Sequence, residues 1–256
     1  MKKYASEVLA AASFLTRLPM PVWVINDNIA IAKASRWFAL IGIFIGSLGA
    51  GLLYGLTPIL GELLAAALTL VILICFTGAF HEDGLADMAD GFGGGWEKSR
   101  KLAIMKDSQI GTYGVLALIA SFSIKMAALV QLPLALACVG LIVCHSTSRA
   151  IAGCVMQFLP YARAGDNNKT PQKNAQVSFK NQLILLSCGA LPLLLLPLNV
   201  IPLLLSIWLV SFWMLIQLMK RHIQGYTGDT LGATQQIIEI TGLISLVIYH
   251  VQTVTI

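Results

Sequence analysis

Six of the chain's twelve acids, Glu82, Asp83, Asp87, Asp90, Glu97 and Asp107, fall in the stretch FHEDGLADMADGFGGGWEKSRKLAIMKDSQIGTYG. At 100° per residue, Asp83, Asp87 and Asp90 stand at i, i+4 and i+7, within about a 60° arc of one helical face. Glu82 points elsewhere. Three carboxylates on one face repel one another unless cations sit among them, and oxygen-only donors suit hard ions such as Mg2+ or Mn2+. The alternative is a solvated loop that merely happens to be acidic. Gly84, Gly91 and the run at 93–95 argue against it, because residues without Cβ let a phosphate or a neighbouring backbone approach closely.

Two further polar islands interrupt apolar sequence. In KRHIQGYTGDTLGATQQIIE, from Lys220 to Glu239, Asp229 precedes a helix, where it serves either as an N-cap or as a metal ligand. Gln235 and Glu239 share a face, and an ionisable group within a span is a functional candidate by default, an ion pathway included. In CHSTSRA, from Cys144 to Ala150, Arg149 is costly in lipid, so it should face a cavity or an anionic partner, and Arg suits bidentate phosphate binding. His145 is read first as a hydrogen-bonded packing residue, and Ser146, Thr147 and Ser148 as groups that bond to backbone or neighbouring helices. Tyr161-Ala162-Arg163 opens a basic loop that runs to Lys180, which serves either electrostatic anchoring at lipid headgroups or phosphate binding.

The elements that must position these groups are membrane spans. Of 256 residues, 57% are hydrophobic and 11% charged, with mean hydropathy +0.79, against about 45–50% and about 25% in soluble domains. A water-soluble globule is excluded. The length suits one membrane-embedded catalytic domain, 1–256, all-α and polytopic. Apolar stretches at about 37–57, 60–80, 112–131, 133–158, 182–199, 201–219 and 231–254 predict seven transmembrane helices. MKKYASEVLAAASFLTRLPMP resembles a signal peptide at first sight, but Glu7 and Arg17 leave too short an uncharged run to span, so an interfacial or re-entrant helix is expected. The connections at 57–60, 131–133 and 199–202 lack Lys and Arg. The alternate set carries Lys33, Arg36, Lys98, Arg100, Lys101, Lys106, Arg163, Lys169, Lys173, Lys180, Lys220 and Arg221, and by the positive-inside rule it is cytoplasmic. Lys125 is a lone lysine within a span. The five cysteines lie in apolar runs without metal spacing and are read as reduced packing residues. Together these features describe a membrane-embedded site open to the cytoplasm, with carboxylates for divalent cations and arginines for phosphate, suited to phosphoryl or nucleotidyl transfer.

The run from Gly78 through Asp83, Asp87, Asp90 and Gly91 to Met105-Lys106-Asp107-Ser108-Gln109-Ile110-Gly111-Thr112-Tyr113-Gly114 closely resembles the signature of the cobalamin-5′-phosphate synthase family, the adenosylcobinamide-GDP ribazoletransferases. Phe14-Leu15-Thr16-Arg17-Leu18-Pro19, Leu159-Pro160-Tyr161-Ala162-Arg163 and Gly225-Tyr226-Thr227-Gly228-Asp229-Thr230-Leu231-Gly232-Ala233 are similar to that family in the same order. The resemblance implies attack by α-ribazole or its 5′-phosphate on the cobinamide-bearing phosphoryl group of adenosylcobinamide-GDP, with loss of GMP and Mg2+ as cofactor. It implies Asp83, Asp87 and Asp90 as metal ligands, with Asp229 completing the site from the far span. Asp107 becomes a ligand or the group that orients the attacking hydroxyl, and His81 or Asp107 the proton acceptor. Arg149 and Arg163 would neutralise the diphosphate, and Gly111 and Gly114 would let the loop approach the helix start. It further implies a prokaryotic inner membrane with surrounding lipid and no nucleic-acid partner, and leaves a homo-oligomer open.

The competing readings are a CDP-alcohol phosphotransferase making a phospholipid and an ion-coupled secondary transporter. The first expects Ala-Arg shortly after the second Asp-Gly, where this chain has Phe92-Gly93-Gly94. The second expects an internal repeat, and none is visible. A scaffold subunit has no need of carboxylates on one helical face.

Overall fold

The computed structural model describes residues 2–21, 24, 31, 33–163 and 178–254. Lys169 and Lys173 of the predicted basic loop lie outside the described residues. Those described form ten α-helices: α1 (Lys2–Leu15), α2 (Phe38–Leu60), α3 (Glu62–Thr77), α4 (Phe80–Gly94), α5 (Lys98–Ile104), α6 (Thr112–Gln131), α7 (Leu134–Phe158), α8 (Phe179–Ala190), α9 (Ile201–Ile223) and α10 (Gly228–Val254). The all-α polytopic architecture is the one that the apolar stretches predict.

Seven spans were expected, but among the described residues five helices are long and apolar enough to cross a membrane: Ser35–Leu60, which includes α2, then α6, α7, α9 and α10. Helices α3 and α4 together make a sixth candidate, bent by 90°. The expected span at 182–199 is broken. Pro192 has no N–H to continue the helical ladder, so α8 gives way to a 3-10 turn at Leu191–Leu195. At one end of this stretch the Arg36 guanidinium donates to Asn181 at 2.9 Å, and at the other the Tyr249 hydroxyl donates to Asn199 at 3.1 Å.

Helix α7 is the hub, and its whole polar run from Cys144 to Ala150 is buried. It crosses α2 so closely that a Cβ at Gly46 would stand 2.6 Å from the Leu141 carbonyl oxygen. Small residues at such crossings allow the backbone contact that holds helices together in lipid. Ser146 donates to the carbonyls of Ala39 and Cys188, and Thr147 to that of Gly189, so both tie neighbouring helices together as expected. Helix α1 is short; Ala10, Ala11 and Leu15 pack with Ile41, Ile45 and Leu73, placing it against α2 and α3. The five cysteines are free.

Candidate active site

The acid-bearing segment owes its place to one sharp turn. Gly78 (φ 69°) and Ala79 (φ 58°) are both left-handed, a conformation that costs a residue with a side chain about 1 kcal/mol or more. The Ala79 N–H returns to the Ile74 carbonyl at 2.9 Å, and the Arg17 N–H donates to the Phe76 carbonyl at 2.8 Å. A Cβ at Gly78 would run into the Arg17 guanidinium. The amino-terminal Arg17 segment therefore braces the bend that turns α4 away from α3.

Helix α4 then packs on the start of α10, where a Cβ at Gly84 would come 2.6 Å from the Asp229 carbonyl oxygen. Asp83 is exposed and Asp87 half-buried, and Asp87 lies in the electrostatic field of Asp83, Asp229 and Asp90, opposed by Arg163. Arg163 reaches this place through a pairing of two distant segments. The Ala162 N–H donates to the Tyr226 carbonyl at 2.8 Å, and the Tyr226 N–H to the Pro160 carbonyl at 2.9 Å. Arg163 Nη2 then lies 3.1 Å from Asp229 Oδ2. Asp229 does not cap α10. Thr227 does, accepting from the Thr230 N–H at 3.3 Å while its own hydroxyl donates to Asp229 at 3.1 Å.

Asp90, grouped by spacing with Asp83 and Asp87, is engaged elsewhere. It is 8% exposed, and its two oxygens accept the N–H groups of Gly111 (2.7 Å) and Gly114 (2.9 Å) at the start of α6. An anionic acceptor at a helix N-terminus is favourable. A Cβ at either glycine would overlap the Asp90 carboxylate, so Gly111 and Gly114 make room for this anchor. Gly114→Ala should therefore lower unfolding stability in detergent by about 1–3 kcal/mol, the usual cost of forced overpacking. An unchanged denaturation midpoint would show that Asp90 does not hold α6. Asp107 is exposed on the loop before α6 and accepts the Gln109 N–H at 3.1 Å. Among the described residues, no three His, Cys, Asp or Glu side chains stand together closely enough to hold a metal.

A second polar compartment lies on the other side of α4. A cavity of about 430 Å3 is walled by apolar residues of α3 and α6 and floored by His81, Glu82, Lys125, His145, Arg149, Gln235, Gln236 and Glu239. Lys125 Nζ lies 2.9 Å from Glu239 Oε1 and donates to Gln236 Oε1 at 2.7 Å. Glu239 Oε2 is 3.1 Å from His145 Nδ1, and Arg149 Nη1 is 3.2 Å from the same nitrogen. Arg149 Nη1 then bonds to the His145 carbonyl at 2.8 Å. Glu82 accepts from Gln236 at 3.0 Å. Arg149, expected at the diphosphate, is thus brought to Glu82 and Glu239 and not to the Asp83–Asp87 face. His81 likewise opens into the cavity, away from Asp107. Lys125, Ser121 and Gln236 are the members that sequence reading missed; only the lone lysine inside a span signalled them.

The cobalamin-5-phosphate synthase family matches residues 7–247. An adenosylcobinamide-GDP ribazoletransferase of Shewanella baltica (strain OS185) is 40% identical over 91% of this chain and 90% of its own length. One from Shewanella sp. (strain W3-18-1) is 40% identical over 94% and 93%. No solved structure matches. Arg17 at the bend, the acids of α4, the paired segments at Pro160 and Tyr226, and the cap of α10 all lie within the matched region, and the chain belongs to the cobalamin-5-phosphate synthase family.

Proposed function

We propose that this multi-pass membrane protein transfers the adenosylcobinamide-phosphate moiety of adenosylcobinamide-GDP to α-ribazole or α-ribazole 5′-phosphate, releasing GMP, as the last assembly step of the cobalamin nucleotide loop. A ribose hydroxyl oxygen bonds to the phosphorus that carries cobinamide, the bond from that phosphorus to the bridging oxygen breaks, and GMP leaves with that oxygen. The observation that carries the reading is the meeting of Asp83, Asp87, Asp229 and Arg163 at one end of the bundle.

The donor set at that end is made of hard carboxylate oxygens with too few cations among them, which fits Mg2+. Asp83 and Asp87 would hold the ion together with substrate oxygens, in keeping with the preference of Mg2+ for one or two carboxylates plus phosphates over an all-protein cage. When bound, it would supply charge neutralisation on the phosphoryl oxygens. Arg163 brings a forked cation to the same place, suited to a diphosphate, with Asp229 holding it in position. His81, on the cavity side of the first turn of α4, would take the proton of the attacking hydroxyl. The charge pattern of the loops supports an inner-membrane protein with this end facing the cytoplasm.

In lipid vesicles, GMP release is expected to require adenosylcobinamide-GDP, α-ribazole or its phosphate, and a divalent cation, and to stop on chelation. Undiminished release after chelation would remove the metal assignment. Solute flux with no nucleotide present would replace the transferase with a transporter.

A further inference from the structure

The cavity between α3, α6, α7 and α10 holds more polar chemistry than packing needs. Glu239, Gln235, Gln236, Arg149, Lys125, His81 and His145 are each no more than 6% exposed, yet His145 Nε2, Arg149 Nε and Glu82 Oε2 are buried without a hydrogen-bond partner among the described residues. Buried polar atoms left unpaired each cost about 1–3 kcal/mol, so a site retaining several of them is built for something that pairs with them. Among the Lys, Arg, Asp and Glu side chains of the floor, Lys125 and Arg149 match Glu82 and Glu239 in number. A floor without net charge suits neither a phosphate nor a metal ion, and suits an uncharged polyol presenting both donors and acceptors.

The walls point to the rest of the ligand. Leu70, Leu73, Ile74, Leu118 and Phe122 line the cavity, and Ile119 and Ser123, both exposed and about one turn apart on α6, form its rim. The opening is therefore lateral, near the middle of a span. A volume of about 430 Å3 lies in the range of small-ligand sites, about 300–1,000 Å3. A lipid tail would satisfy the walls and leave Arg149 Nε and His145 Nε2 without a partner. A flat aromatic base joined to a sugar satisfies both parts.

We propose that this cavity is the subsite for the acceptor nucleoside, with its aromatic base against the apolar walls below the α6 rim and its ribose on the Arg149–His145–Glu82 floor. The inference rests on the transferase reading above and adds the place of the acceptor. His81 and Glu82 line the cavity and immediately precede Asp83 in the first turn of α4. The two compartments of α4 then serve the two substrates, the acidic face the diphosphate donor and the cavity the nucleoside.

The test fills the rim. Ile119→Trp and Ser123→Trp are at exposed positions of α6, and Val115→Trp, exposed on α6 and outside the cavity, is the control. In nanodiscs, both rim variants should weaken α-ribazole binding, measured by equilibrium dialysis, by at least about tenfold, with adenosylcobinamide-GDP binding unchanged and the control like wild type. In turnover, KM for α-ribazole should rise with kcat and the donor KM unaltered. Dialysis against Asp87→Asn protein reads the same affinities without chemistry. Unchanged α-ribazole affinity in both rim variants overturns the proposal, as does parallel loss of both substrates, or phospholipid retained in the cavity with nucleoside affinity intact. Wild-type protein that releases no GMP would instead overturn the transferase reading, so the two failures are separate.

Discussion

Asp87→Asn is expected to insert and fold, and to release GMP at least about 10²–10³-fold more slowly than wild type, the scale set by removing one preorganised electrostatic group from a reacting centre. The substitution keeps the shape and removes a charge. That charge sits in the field of Asp83, Asp229 and Asp90 with Arg163 as its counterweight, so its loss relieves repulsion and should leave the unfolding midpoint equal to or above that of wild type. Asp90→Asn should behave in the opposite way. It loses charge-assisted bonds from the Gly111 and Gly114 amides, each worth about 1.5–3 kcal/mol, and its principal effect is on stability. GMP release by chromatography and unfolding in detergent, measured on both variants, separate the two roles. Equal losses of stability for Asp87→Asn and Asp90→Asn would sink the division, and wild-type turnover by Asp87→Asn would sink the site.

The division shows what spacing can and cannot report. A period of 3.6 residues identifies which side chains share a face, and Asp83, Asp87 and Asp90 do share one in α4. It does not identify what the last of them meets, because the amides that bind Asp90 come from 21 and 24 residues away. The pairing of Pro160 with Tyr226 is longer in range still, and nothing local in either segment encodes it. Hydropathy found the seven stretches but not the bend at Gly78 and Ala79 or the break at Pro192, since both depend on backbone conformation rather than on apolar content. In CHSTSRA, composition could not divide the polar run. One turn of helix sends Ser146 and Thr147 to the carbonyls of neighbouring helices and His145 and Arg149 to the cavity. Lys125 was visible as an anomaly, and its partner Glu239 as another. Only the packing of α6 on α10 joins them.

That junction yields the largest expected effect on stability. Lys125 and Glu239 are 5% and 2% exposed, and their charged atoms lie 2.9 Å apart. Removing one member of a buried pair leaves an uncompensated charge and costs about 3–5 kcal/mol, so Lys125→Met should unfold at markedly lower denaturant in detergent or fail to accumulate in the membrane. Glu239→Gln alone should also destabilise, because Lys125 then retains only the Gln236 carbonyl oxygen. The double variant Lys125→Met/Glu239→Gln has no stranded charge and should recover most of the loss, since replacing both members of a buried pair is often near neutral. A double-mutant cycle reads the coupling directly, and additivity within about 0.5 kcal/mol would mean that the two do not interact. The nucleoside measurement gives the recovered protein a second reading. Glu239 also meets His145 and Gln235, so loss of its charge frees the floor to reorganise. A double variant that regains stability while binding α-ribazole poorly would show that the pair holds the cavity floor in shape for the acceptor, a contribution to function that stability alone does not reveal.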